Sequence, residues 1–318
     1  MSITIGRLGY VGLGIEATAG SVQTPSVFLP FTETTLRGHH EPIEVISAKT
    51  SRIMDTNSVV GKKWSQGDVT LDLDVVNCGY LFKMALGNET VTAGTPNQHL
   101  FFTSVSGNTP KTATLIFGRG DTDVEQYTYA ALDNLVISIP IDKLASAKAS
   151  FMGQFPTTPT AQVPTTTSGT LITSITTSVK FGNTLTTALA ASATPVSDYT
   201  MTIANNLEMI HQTGTSDVRA IRNKGQRISG SYTQYFESTT ERDAHYNLLK
   251  RAMIITTTGN TNESMTTRIP QFRLKENEIS AGLDTFFIVK GDWVAEDDID
   301  NGTRYFDVTL NNSLASTY

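Results

Sequence analysis

The clearest hydrophobic pattern is an alternation. GDVTLDLDVV, from Gly67, places Val69, Leu71 and Leu73 on one side and Asp68, Thr70, Asp72 and Asp74 on the other, the two-residue period of a half-buried strand. RISGSYTQYF, from Arg227, alternates likewise, with Ser229, Ser231 and Thr233 on its polar side. A helical period follows each. NCGYLFKMALG aligns Tyr80, Leu81, Met84 and Ala85 and stops at Gly87. STTERDAHYNLLKRAM opens with Ser238 and Glu241 at capping-box spacing and aligns Ala244, Leu248 and Ala252. TATLIFG, NLVISIP and ASAKASFMG complete the first set of strands, and TRIPQFRL, TFFIVKGDW and TRYFDVTL the second. The expectation is a mainly β chain with one short helix in each half.

Between the halves lies FPTTPTAQVPTTTSGT, residues 155–170, where Pro156, Pro159 and Pro164 interrupt a Thr-rich run without periodicity. It divides the chain into a first module, residues 1–153, a linker, 154–170, and a second module, 171–318. Each module starts its ordered part with aromatic-Thr-x-Thr, at Phe31 and Tyr199, and follows it with Glu-x-Ile, at Glu41 and Glu208. Identity between the halves is low, so the expectation of two tandem, similar β modules rests on element order and these few matched residues.

The 318 residues, 39% apolar and 17% charged, suit one large or two ordinary globular domains. A net charge of -6 argues against gripping nucleic acid by its phosphates, though not against letting it pass. The single cysteine, Cys78, excludes an internal disulfide and reads as a small buried apolar residue. The N-terminus lacks a basic region followed by an apolar run, and no window approaches the roughly 20 apolar residues of a membrane helix, so neither secretion nor membrane insertion is expected.

The motifs that would carry chemistry fail on context. GLGIEA, with Gly12, Gly14 and Ala17, fits a dinucleotide fingerprint, but TAGSVQTP follows, where Gly20 and Pro25 break the helix that must hold the pyrophosphate. In EDDIDNG the calcium-loop register puts Ile299 and Val308 at ligand positions, so a hairpin turn at Asp300, Asn301 and Gly302 is expected instead. Arg119, Gly120 and Asp121 form a tripeptide that some surface receptors read, but three residues are a very weak signal and a polar turn between two strands is the better reading. The five histidines lack metal-ligand spacing and are expected exposed or capping, and no serine or cysteine sits in a nucleophile motif. No catalytic residue, cofactor or metal is expected.

Several stretches, taken in order, resemble the tail tube proteins of long-tailed bacteriophages, of the longer duplicated kind: GIEATAGSVQTPSVFLPFTE from Gly14, GKKWSQGDVTLDLDVVNCGYLFKMALG from Gly61 and VEQYTYAALDNLVISI from Val124, with TIANNLEMI and NKGQRISGSYTQYF in the second half. TLTTALAASATP, from Thr184 to Pro195, matches no feature of that family and is expected to be an outer loop. The resemblance implies two barrel-like or sandwich-like β modules, a structural virion protein of the tail, and self-assembly into stacked rings around a channel for double-stranded DNA. Three chains would make a pseudo-sixfold ring, with six as the alternative, other tail proteins would close the tube ends, and assembly would occur in the host cytoplasm.

Within that frame the polar row Asp68, Thr70, Asp72 and Asp74 must meet water, because clustered carboxylates are costly to bury unpaired. It is a candidate lining of the lumen, with Ser229, Ser231 and Thr233 as its counterpart; an ordinary solvated outer face is the competing reading. The stretch from Gly38 to Lys63 is too long for an idle connector and is expected to reach the next ring, with Arg52, Lys62 and Lys63 as candidate contacts. From a different class, a soluble β-sandwich binding module or adhesin would instead use the tripeptide at Arg119 and the Thr-rich surface.

Overall fold

The computed structural model describes residues 6–45, 57–104, 107–120, 123–165, 169–281, 283, 286–297 and 304–318. The first half contains β1 (Gly9–Ile15), β2 (Val27–Leu29), β3 (Phe31–Thr34), β4 (Arg37–Glu44), β5 (Ser58–Asp72), α1 (Cys78–Leu86), β6 (Gly87–Thr92), β7 (Asn97–Thr103), β8 (Thr112–Arg119), β9 (Val124–Pro140) and β10 (Ser146–Gly153). The second contains β11 (Thr177–Gly182), α2 (Leu185–Ala190), β12 (Val196–Ala204), β13 (Leu207–Ile210), β14 (Ala220–Asn223), β15 (Arg227–Tyr235), α3 (Thr240–Tyr246), β16 (Arg251–Thr258), β17 (Ser264–Ser280), β18 (Ile288–Ala295) and β19 (Asp307–Asn312). The chain is mainly β, as the alternation predicts.

The pairings are antiparallel and follow one path. In the first half β3 pairs with β5, β5 with β10, β10 with β9, β9 with β8 and β8 with β1. In the second half β12 pairs with β15, β15 with β18, β18 with β17, β17 with β16 and β16 with β11. The halves join where β12 pairs with the end of β9, Tyr199 opposite Ile139 and Ala204 opposite Asn134, and again where β19, itself paired with the start of β17, pairs with β7, Val308 opposite Phe101. β9 is long enough to serve two neighbours on that edge: Val124–Ala131 faces β8 and Asn134–Pro140 faces β12.

One side of this sheet is a continuous core. Val69 and Leu71 of β5, Ala147 and Ala149 of β10, Leu135 and Ile137 of β9, Met201 and Ile203 of β12, Ile228 and Tyr232 of β15 and Trp293 of β18 are all buried in a single cluster. Each large side chain in it contributes about 1.5–3 kcal/mol by leaving water. α1 packs into that core on nearly every side, with Leu81, Phe82, Met84 and Leu86 buried, and ends at Gly87, whose φ of 87° suits glycine. Cys78, at its start, is buried and free.

The second helix departs from expectation. α3 ends at Tyr246, Leu248 is exposed with a φ of 52°, and Ala252 belongs to β16. The β-branched run Ile254, Ile255, Thr256, Thr257 and Thr258 prefers a strand and finds partners on both edges, in β11 and β17. The capping box does not form: Glu241 turns instead to Arg251, 2.6 Å away. The Thr184–Pro195 stretch holds α2, capped by Thr184 and Thr187, with Ala188 buried against Ala252 and Ile254, so it is a packed helix rather than a loop and gives the second half two short helices.

Where it is described, the 154–170 stretch packs against both halves, with Thr170 N–H donating to Glu263. Thr157 exchanges two backbone hydrogen bonds with Gln126, Phe155 N–H donates to Asp217 and Gln162 N–H donates to the Tyr10 hydroxyl.

Candidate functional site

Opposite the core, the same strands present a polar face. Cross-strand register builds it in rows. One row runs Asp72, Ser146, Ser138, Thr200, Ser231, Asp292 and Glu276 across β5, β10, β9, β12, β15, β18 and β17. The next runs Thr70, Lys148, Val136, Thr202, Ser229, Val294 and Arg273 through the same strands. Both rows cross the junction between the halves without a break. Hydroxyls dominate, and neighbouring strands tie them together: Thr200 Oγ1 and Ser231 Oγ lie 2.8 Å apart.

Asp68, Thr70 and Asp72 sit half-buried on this face, as do Ser229, Ser231 and Thr233, so the two candidate rows share one surface. Asp74 does not join them. It is 2% exposed, past the end of β5, where Oδ1 accepts from the backbone N–H of Val76 and Asn77 and Oδ2 from the Asn77 side chain. The alternation simply ends at Leu73, and the next carboxylate closes the turn into α1.

Cations do occur on the face, singly rather than in rows. Lys148, on β10, lies 2.8 Å from Asp68, and Ser150 Oγ donates to the same carboxylate at 2.6 Å. Burial alone would raise the Asp68 carboxyl, but hydrogen bonds from Lys148 and Ser150, together with the Lys148 charge, hold it below its ordinary value of 3.8. The contribution of β10 was legible in ASAKASF, whose alternation puts Lys148 between Ala147 and Ala149. That β12 of the second half would lie beside β9 of the first was not, because register between distant strands leaves no local signal.

Of the stretch from Gly38 to Lys63, residues 46–56 lie outside the described residues; the rest belongs to the paired strands β4 and β5, with Glu41 opposite Lys62 and His40 opposite Lys63. Ile43, Val59 and Val60 are exposed on them. Lys62 is exposed, whereas Lys63 lies at the base of the pair, its backbone N–H donating to Ser216 and its ammonium over the Phe155 ring. Arg52 lies outside the described residues, as do Asp121 and residues 298–303 of the acidic C-terminal motif.

Gly12 and Gly14 fall inside β1, with no helix after them; a Cβ on Gly14 would come within 2.5 Å of the Thr24 carbonyl oxygen. The fingerprint therefore reflects close backbone approach rather than phosphate binding. His99 corrects the expectation of exposed histidines: it is fully buried, 2.9 Å from Glu89 and 2.9 Å from the Leu314 carbonyl. Among the described residues no three His, Cys, Asp or Glu side chains cluster to hold a metal, and no helix is long and apolar enough to cross a membrane.

The sequence profile described as phage tail tube protein aligns with residues 6–315, nearly the whole chain. The chain belongs to the phage tail tube protein family. A search of curated proteins returns no match. As a tail tube protein it is a structural component of the virion tail, from a family of structural proteins rather than enzymes.

Proposed function

We propose that this tail tube protein builds stacked rings whose inner wall is the polar face, and that the resulting pipe carries the viral DNA. The supporting observation is the strand path: β3, β5, β10 and β9 are followed directly, across the β9–β12 junction, by β12, β15, β18 and β17. Each set of four has the same order of pairing, which supports a duplicated module. Neighbouring copies extend the sheet until it closes, removing the exposed edges that would otherwise pair indiscriminately.

Three copies contribute about 24 strands, and at roughly 4.8 Å per strand the wall has a circumference near 115 Å and a diameter of about 37 Å before tilt. Six copies would double that to about 73 Å, far wider than a duplex needs, so the geometry favours three. Carboxylates and hydroxyls along the wall repel or ignore phosphates, and its scattered cations are too few to hold DNA by counterion release. The β4–β5 hairpin, with Ile43, Val59, Val60 and Lys62 exposed, reaches the adjacent ring. Negative-stain microscopy of the concentrated protein tests the reading: hollow tubes of uniform width are expected, and a small discrete species at every concentration would defeat it.

A further inference from the structure

The internal junction between β9 and β12 supplies a template for the contact between copies. In the second half β17 plays the part of β9: its first stretch pairs with β16 as β9 does with β8, and its second, Phe272–Ser280, pairs with β18 as β9 does with β10. On β9 the remaining edge of that second stretch is filled by β12. On β17 no strand among the described residues fills it; at its start the His245 ring of α3 meets the Leu274 carbonyl at 3.3 Å, and no strand covers the edge beyond.

Exposure reports the difference. No residue from Asn134 to Pro140 is fully exposed, whereas Arg273, Lys275, Glu276, Glu278 and Ser280 are. The strand corresponding to β12 is β3, which shares its aromatic-Thr-x-Thr start and pairs only with β5, leaving Thr32 and Glu33 exposed. Each end of the chain's own sheet thus carries the edge that the other end lacks.

We infer that the Phe272–Ser280 edge of β17 receives β3 of a second copy, antiparallel, with Phe31 opposite Ile279 and Thr32 opposite Glu278. The register follows from superposing the internal pairs: Tyr199 opposite Ile139 and Thr200 opposite Ser138. An apolar cluster at the end of the edge fits the same occupant. Tyr235, Phe236, Phe286, Phe287 and Ile288 are all exposed there, with Tyr235 and Phe286 edge to face and Phe236 N–H donating to the Phe287 carbonyl.

At the corresponding end of the first half, the chain leading into β11 covers β5 and β10, through Ile172 N–H to Leu73, Ala145 N–H to Ile172 and a bridge from Leu171 to Asp74. In the assembly Gly6–Leu8, the turn leading into β1 of the second copy, covers the aromatic cluster. Exposed aromatics of this extent mark a contact surface, and an unpaired edge beside them marks strand addition.

The inference rests on the tube reading and is tested separately from it. Cys78 is buried, so Thr32→Cys combined with Glu278→Cys in the full chain gives a clean intermolecular pair. Under oxidation the double variant is expected to run on a denaturing gel as a ladder ending at the closed ring, and neither single variant is. Tubes that form without this cross-link overturn the register while leaving the tube reading intact; absence of any oligomer from the unmodified protein overturns both. If the cysteines themselves block assembly, Phe286→Asp with Phe287→Asp decides. That variant is expected to keep its circular dichroism and melting temperature while forming at least tenfold fewer tubes, and a normal tube yield contradicts the inference.

Discussion

Glu16 is the residue on which the N-terminal arm turns. Its carboxylate, 5% exposed, accepts from Gly20 N–H and the Thr112 hydroxyl at 2.7 Å, from Tyr129 N–H at 2.9 Å and from the Thr114 hydroxyl at 3.0 Å. Glu16→Ala leaves these donors buried and unpaired, so a loss of roughly 3 kcal/mol is expected, read as a lower melting temperature. Glu89 is a second buried carboxylate, held by Lys83 at 2.7 Å, His99 at 2.9 Å and the Tyr318 N–H. Burial alone would raise it, but the hydrogen bonds from His99 and Lys83 outweigh that and hold it below 4.5. Because its folded value is depressed, its contribution is complete above pH 4.5 and drains away as pH falls through the lower folded value. Thermal melts between pH 7 and pH 3 are expected to show this acid loss in the native chain and a shallower one in Glu89→Gln. Neither role was legible in the sequence. Glu16 lay in a recognisable Gly-x-Glu-x-Thr arm, yet three of its four partners stand 96 to 113 residues away, and nothing near Glu89 or His99 signals that they meet.

At the scale of elements, alternation was read well where a strand has one wet face and badly where both faces are dry or short. β5, β10 and β15 stood out because hydroxyls and carboxylates alternate with apolar residues. β16, buried over Arg251–Ile255, looked like the tail of a helix because its apolar run continues straight from α3. The stretch from Gly38 to Lys63 was read as an inter-ring loop or hairpin through Arg52, Lys62 and Lys63, and the exposed apolar residues of β4 and β5 were overlooked in favour of those cations. Ile43 lies opposite Val59, with Val60 the next residue along. If these three contact an adjacent ring, each contributes about 1.5 kcal/mol, so losing one costs roughly tenfold in ring-to-ring affinity. Ile43→Glu with Val60→Glu is therefore expected to give rings of normal diameter that no longer stack, seen as short stubs by microscopy and slow-sedimenting material by ultracentrifugation. Stacks of native length would remove the hairpin from the ring contact.

For the whole molecule, the proposed conduit requires the polar side of the sheet to meet DNA, and charge tests that experimentally. Asp72 and Asp292 lie in one hydroxyl-rich row, away from the edges assigned to contact between copies, so lysine at both positions leaves closure undisturbed. In a three-copy ring the exchange removes six carboxylates and adds six cations to a single level of the wall. Native tubes are expected to retain no short duplex DNA at 50 mM salt. Tubes of Asp72→Lys with Asp292→Lys are expected to retain it strongly and to lose most of it by 200 mM, because each neutralised phosphate releases counterions and steepens the salt dependence. Nuclease treatment then separates the two possible faces. DNA held inside is shielded by the wall and survives digestion, which is the expected result; DNA bound but fully digested would put the polar face on the exterior. If the polar face is the proposed wall, its mixture of hydroxyls and acids with a lysine paired to Asp68 has a physical reason. A surface that must contact a polyanion along its whole length without stopping it needs polarity to stay wet and must avoid any unbroken run of positive charge.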